Sequence, residues 1–327
     1  MAKKTLSLAL RPQTFRQMFG QASVCGAVTK QMVDRPPTAW MFCGETGSGK
    51  TTIARIVALS LQCSHKKFGY PCLECRKRQS EFCIEEVNTG EHNTVDDVKD
   101  IVATSVYSPI GRSRYRVFIL DEAQRISTQA QTILLKYFED APASTVWIVC
   151  TTEPEKILAS LRGRCIIHQM RSLKGRTAEE FIVWAYKKSG ATGADISAFT
   201  EIVHTYSVTS PRNILMALEK VIAGIDPDKA VASLYSDVDT KRICQALLKG
   251  NWGAIRSELS EASPSDAKLI RASVIGYLRT ILLDPRPRLQ PKVLAQLILD
   301  FSNSTGYDDN ILLAQLSAKL WSASKLF

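Results

Sequence analysis

Gly44-Glu45-Thr46-Gly47-Ser48-Gly49-Lys50-Thr51 has the spacing G-x-x-x-x-G-K-[ST], the pattern of a loop whose backbone amides cradle nucleotide phosphates. Its neighbours supply the context such a loop needs. Ala39 to Cys43 is a short apolar run suited to a buried strand, and Thr52 to Cys63 carries helical spacing through Ile53, Ile56 and Leu59. Gly44, Gly47 and Gly49 would let the backbone approach the phosphates, Lys50 would reach the terminal oxygens and Thr51 would ligate Mg²⁺. Glu45, Thr46, Ser48 and Thr52 complete the nucleotide-binding set. The expected ligand is ATP or GTP.

A second motif supplies acid. Val117-Phe118-Ile119-Leu120 is a continuous apolar run that suits a central parallel strand, and it ends in Asp121-Glu122, where such a strand would emerge beside the phosphate loop. There Asp121 would orient Mg²⁺ and Glu122 would polarise an attacking water. A capping pair after a strand is the alternative, but with the loop present hydrolysis is the favoured reading.

Composition bounds the rest. A chain of 327 residues with 45% hydrophobic content is long enough for two or three domains. It has no apolar run near the roughly 20 residues of a membrane span, and Met1-Ala2-Lys3-Lys4 is not followed by a signal-type segment. A cytoplasmic protein without a membrane partner is expected. Nine cysteines, an odd number, point to reduced thiols or metal rather than a disulfide framework. The net charge of +10 is uneven: residues 1–80 hold 13 Lys/Arg against 3 Asp/Glu, whereas residues 81–140 hold 6 against 11. A basic N-terminal side suits a polyanion such as DNA, with solvated charge as the plainer alternative.

Hydrophobic periodicity divides the chain into three regions. Residues 1–173 alternate apolar strands, near 39–43, 84–88, 116–120, 145–150 and 165–169, with helical segments, which predicts an α/β phosphate-loop domain with a parallel sheet. Residues 174–236 read as a small helical domain. It opens on the capping-box pattern Thr177-Ala178-Glu179-Glu180, continues through a helix from Ile196 to Tyr206, and opens a third helix at Ser210-Pro211. Arg212 falls in the first turn of that third helix, where the dipole opposes a cation; a phosphate nearby would account for it. Residues 237–327 are helical again. One stripe runs through Leu269, Ile270, Val274, Tyr277, Leu278 and Ile281, another through Val293, Leu294, Leu297, Ile298 and Phe301, and Asp284-Pro285-Arg286-Pro287 separates them. This bundle carries no chemical motif and reads as an assembly module.

Four cysteines cluster in an insertion at 63–83: Cys63, Cys72, Cys75 and Cys83, with C-x-x-C spacing between Cys72 and Cys75. A tetrahedral Zn²⁺ held by these four, or with His65 as the alternative fourth ligand, is one reading; free thiols are the other. Nearby Lys66, Lys67, Arg76, Lys77 and Arg78 would offset thiolate charge.

Taken together, these residues resemble the clamp-loader ATPases of the AAA+ superfamily, in particular the bacterial DNA polymerase III gamma/tau type. The resemblance runs from Arg11-Pro12-Gln13-Thr14-Phe15 and Gly20-Gln21 through the phosphate loop, the cysteine insertion and Phe118 to Ala123. It continues through Cys150-Thr151-Thr152-Glu153-Pro154 and Leu161-Arg162-Gly163-Arg164-Cys165 to Ser210-Pro211-Arg212. It implies that Thr152 stands next to the γ-phosphate, that Arg164 enters the ATP site of a neighbouring subunit, that Arg212 is the lid arginine, and that Arg11 and Pro12 pack near the adenine. Three positions depart from the family pattern: Gly163 replaces a serine, Arg78 replaces a third C-x-x-C cysteine, and His92 replaces an arginine near DNA. The chain stops after one helical collar, as a minimal or phage-encoded version would. The expected function is that of an ATP-driven motor subunit that places a sliding clamp on primer-template DNA, with the clamp and other loader subunits as partners. The rivals are another AAA+ DNA motor, such as a helicase or helicase loader, and a stator that holds ATP without hydrolysing it.

Overall fold

The computed structural model of the chain describes residues 5–33, 35–78, 82–90, 94–111, 113–206, 208–234, 240–262, 266–283, 290–302 and 309–326. His92 and Asp284 to Pro287 lie outside the described residues. By its contacts the chain divides into two units: one of Leu8–Ala178 with Ser210–Arg212, the other of Met1–Ser7, Glu179–Thr209 and Asn213–Phe327.

The first unit is built on five strands: β1 (Ala39–Cys43), β2 (Ile84–Asn88), β3 (Arg116–Asp121), β4 (Thr145–Thr151) and β5 (Ile166–Gln169). They form one sheet of order β2-β3-β4-β1-β5, parallel at every pairing. The three central strands are continuous apolar runs because both of their faces are covered. Trp40, Phe42, Ile119 and Ile148 pack with Ile53 and Val57 of the phosphate-loop helix Lys50–Gln62. Met41, Phe118, Leu120 and Trp147 pack with Leu134 and Phe138 of the helix Thr128–Glu139. On that second face the Trp147 ring stacks on Phe118 and Phe138 at centroid distances of 4.6 and 5.0 Å. Because all strands run the same way, the ends of β1, β3 and β4 that carry the expected site residues share one edge, where ligands of open parallel sheets bind.

The second unit is helical. Ile270, Val274 and Leu278 of the helix Ala267–Leu282 are buried with Leu294, Leu297 and Phe301 of Pro291–Ser302 and with Leu316 and Leu320 of Asp309–Ser324, as the two apolar stripes require. The segments expected as a lid and as an assembly module fall within this one unit, apart from 174–178 and Ser210–Arg212. One start site differs from expectation. The helix begins at Arg176, so Thr177 lies inside its first turn rather than capping it, and Gly175 at φ 50° supplies the turn before it. Among the described residues no helix is long and apolar enough to cross a membrane.

Candidate nucleotide site and cysteine cluster

The phosphate loop leaves β1 at Gly44, whose N–H donates to Thr151 O at 3.2 Å, so its start is tied to the end of β4. Gly47, at φ +77°, is packed so tightly that a Cβ there would lie 2.3 Å from Ser210 Oγ and 3.0 Å from Arg212 Cβ. The absence of a side chain thus lets the Ser210-Pro211-Arg212 segment approach the loop. Lys50 is buried, and its ammonium donates to Gly44 O at 2.9 Å and Glu45 O at 3.0 Å. Burial lowers its pKa. The hydroxyls of Ser48 and Ser210 are both buried with no hydrogen-bond partner among the described residues. Two unsatisfied hydroxyls, one on the loop and one on the segment packed against it, and a desolvated ammonium are groups that a phosphate would satisfy.

Acid meets this loop from β3. Thr51 Oγ1 donates to Asp121 Oδ2 at 2.8 Å, and the N–H of Glu122 donates to Asp121 Oδ1 at 3.2 Å. Burial, ahead of every other influence, raises the Asp121 pKa. Glu122 is held at φ 56°, a left-handed conformation rare outside glycine. Two residues that sequence reasoning passed over fix this turn. Thr89 Oγ1 donates to the carbonyls of both Asp121 and Glu122 at 2.8 Å, and Gln124 Nε2 donates to Glu122 Oε2 at 2.5 Å. Thr89 follows directly on β2, and it meets this turn only through the register that sets Asn88 beside Asp121.

The remaining expected residues are spread around and beyond this loop. Thr152 follows β4, and its N–H donates to Gln124 Oε1 at 3.3 Å. Arg11 feels the charges of Arg55, Arg212, Glu86 and Asp121, and burial followed by Arg55 lowers its pKa; Pro12 is beside it in the chain. Gln21 holds the strand-exit segment, with Nε2 donating to Arg171 O at 2.5 Å and Oε1 accepting from Arg171 N at 3.1 Å. Arg164 is engaged elsewhere: it donates to Ser160 O at 2.7 Å and pairs with Glu139 at the end of Thr128–Glu139. Glu45 and Thr46 are exposed on the loop and Thr52 is half-buried in the helix.

The cysteine cluster assembles differently from the four-cysteine expectation. Cys63 Sγ, His65, Cys72 Sγ and Cys75 Sγ place one ligand atom each within 4.8 Å of one another, whereas Cys83 Sγ sits by Ile110, accepting from its N–H at 3.5 Å. Three sulfurs and one imidazole at that spacing fit a tetrahedral Zn²⁺. Burial opposes ionisation of Cys63, but hydrogen bonds involving Cys72, His65 and Lys67 outweigh it and bring this thiol down to about 6. The Arg78 side chain, at the position of the missing cysteine, pairs with Glu74 at 3.4 Å.

The parallel five-stranded sheet, the phosphate loop after β1 and the acidic end of β3 define an AAA+ P-loop fold. The solved structure of the Thermotoga maritima RuvB Holliday junction branch migration motor shares that fold, with a TM-score of 0.53 at 17% identity, covering 88% of this chain and 98% of that one. In sequence the chain is similar to DNA polymerase III gamma/tau subunits. A family described as DNA polymerase III, delta subunit matches residues 24–174. The gamma/tau subunit of Mycobacterium tuberculosis is 33% identical over 222 residues, 65% of this chain and 38% of the relative. The gamma subunit of Buchnera aphidicola subsp. Schizaphis graminum is 30% identical over 225 residues, 67% of this chain and 61% of the relative. The chain therefore spans between 38% and 61% of the length of these two curated relatives.

Proposed function

We propose that this chain is an ATP-hydrolysing motor subunit of a sliding-clamp loader that acts on primer-template DNA together with other loader subunits. The observation that carries the reading is the Thr51–Asp121 hydrogen bond with Glu122 beside it, in a chain similar to gamma/tau subunits. Lys50, the loop amides from Gly44 to Thr51 and the free hydroxyls of Ser48 and Ser210 would bind the phosphates. Thr51 and Asp121 would hold Mg²⁺, which when bound neutralises phosphate charge. Glu122 would take up the proton of the attacking water.

Thr152 would contact the terminal phosphate, Arg212 would close over the nucleotide from the helical segment, and Arg11 with Pro12 would line the base. Arg164 would act in the site of a neighbouring subunit, which makes assembly part of catalysis. Residues 174–236 would serve as the lid and 237–327 as the collar. Zn²⁺ on Cys63, His65, Cys72 and Cys75 would be structural, since all four positions are filled by protein.

Steady-state ATP turnover without DNA and with single-stranded, duplex or primer-template DNA tests this, with Arg164→Ala as the control. Selective stimulation by primer-template, lost in the variant, is the expected result. Stimulation mainly by single strands would point to a translocating motor, and absence of turnover with partner proteins added would point to a stator.

A further inference from the structure

Gln124 has no part in the reading above, yet its side chain bridges two residues that do. Nε2 donates to Glu122 Oε2 at 2.5 Å, while Oε1 accepts from Thr151 Oγ1 at 2.9 Å and from the Thr152 N–H at 3.3 Å. The partners fix the amide orientation, because an ionised carboxylate only accepts and a backbone N–H only donates. Thr89 holds the backbone of the Asp121-Glu122 turn; Gln124 holds the Glu122 carboxylate. Thr151 in turn anchors the start of the following loop, its Oγ1 accepting from Glu153 N at 3.1 Å.

We propose that Gln124 is a positioning residue that links the Glu122 carboxylate to the end of β4, so that displacement of Thr152 is passed to the group that polarises water. A carboxamide is planar, so its oxygen and nitrogen ends move as one body. A contact that draws Thr152 toward a terminal phosphate pulls Oε1, and the same plane then re-aims Nε2 and the carboxylate it holds. The linkage rests on the reading of Glu122 as the proton acceptor, and it predicts that the bridge matters to the chemical step and not to nucleotide binding.

The test is ATP turnover by the full chain, with its partner subunits where turnover requires them, comparing Gln124→Met, Glu122→Gln and the double variant. Methionine keeps length and bulk but removes both hydrogen-bonding ends. The expected result is a fall in kcat of about tenfold to a hundredfold, the range produced by misplacing a catalytic group, with KM for ATP within about twofold. On Glu122→Gln, Gln124→Met should have no further effect, because the bridge then has no carboxylate to aim. Unchanged kcat in Gln124→Met beside lost turnover in Glu122→Gln would overturn the proposal and leave the Glu122 reading standing. Turnover retained in Glu122→Gln would remove that reading itself. Should Gln124→Met unfold, Gln124→Asn, which keeps the amide one methylene shorter, reads the same split; parallel losses of kcat and ATP affinity there would overturn the linkage.

Discussion

The Thr51 hydroxyl and the Asp121 carboxylate, 70 residues apart, meet at 2.8 Å. The first turn of the phosphate-loop helix and the end of β3 are thereby coupled through side chains that the chain order alone keeps far apart.

Burying that carboxylate carries a stability penalty, which the Thr51 hydrogen bond only partly offsets. Burial raises the Asp121 pKa, so the unfolded chain releases this proton at lower pH than the folded one. The ionised carboxylate therefore costs stability, increasingly as pH rises from the unfolded value near 3.9 and fully above the folded value. Asp121→Asn removes the charge and keeps an acceptor for Thr51. At neutral pH the nucleotide-free variant should melt at or above the parent temperature while Mg²⁺-dependent turnover is lost. A clearly lower Tm would contradict the burial argument.

Two glycines should respond oppositely to alanine. At Gly47 the φ of +77° strains any L side chain, and the new Cβ would collide with Ser210 Oγ at 2.3 Å. Gly47→Ala should weaken ATP binding by at least about tenfold, given the roughly 1 to 2 kcal/mol of left-handed backbone strain before any clash. Gly163 has ordinary right-handed backbone, φ −63° and ψ −15°, and a Cβ there first meets Ala159 O at 3.4 Å. Gly163→Ala should leave Tm unchanged or raise it slightly through the unfolded state. Differential scanning fluorimetry with and without ATP separates the two.

The cysteine cluster yields a metal-content prediction. The purified chain should carry about one Zn²⁺, lost in Cys72→Ser and retained in Cys83→Ser. Because Phe15 N donates to Gly69 O at 2.8 Å and its ring packs where a Gly69 Cβ would fall, the insertion also braces the segment that bears Arg11 and Pro12. Stripping the metal should therefore lower Tm and weaken ATP binding modestly. Elemental analysis showing equal zinc in both variants would exclude this ligand set.

The pairing of Arg164 with Glu139 makes the trans role testable by mixing. Arg164→Ala and Glu122→Gln should each abolish turnover alone, while mixed assemblies recover part of it wherever an intact arginine faces an intact glutamate. Glu139→Ala should keep turnover, since an ion pair this exposed contributes little to stability. Failure of the mixtures to recover in assemblies that do form would mean that Arg164 acts within its own subunit or not at all.

How much of this was legible beforehand depends on what each residue does. β1, β3 and β4 announced themselves because strands covered on both faces must be apolar throughout, and Gly44 to Thr51 because the phosphate-loop pattern fixes four positions within eight consecutive residues. Thr89 and Gln124 stayed silent: their roles come from hydrogen bonds created by the register of β2 on β3 and by the approach of β4, which no local pattern encodes. His65 displaced Cys83 for a similar reason. Spacing along the chain put Cys83 in the set with His65 as the alternative, and only the path into β2, which carries Cys83 toward Ile110, reverses that order. The start of the helix at Arg176 was set by Gly175, whereas the Thr-x-x-Glu pattern pointed two residues later.

A half-buried histidine gives the pH prediction. His168 on β5 stacks on Phe42 at 5.8 Å, and its Nε2 lies 3.1 Å from Gln31 Oε1, which also accepts from Trp40 Nε1 at 2.7 Å. With Gln31 presenting only an acceptor, the His168 Nε2 carries the proton. Burial lowers the folded-state pKa below the ordinary 6.5. On acidification the unfolded chain takes up its proton first, so stability falls as pH drops through about 6.5 and levels off below the folded value. The neutral form and its full contribution are present above 6.5. His168→Gln cannot titrate but can still donate to Gln31, so the variant should show a shallower loss of Tm between pH 7.5 and pH 5.5 than the parent. Equal slopes in the two proteins would mean that this imidazole does not couple to folding.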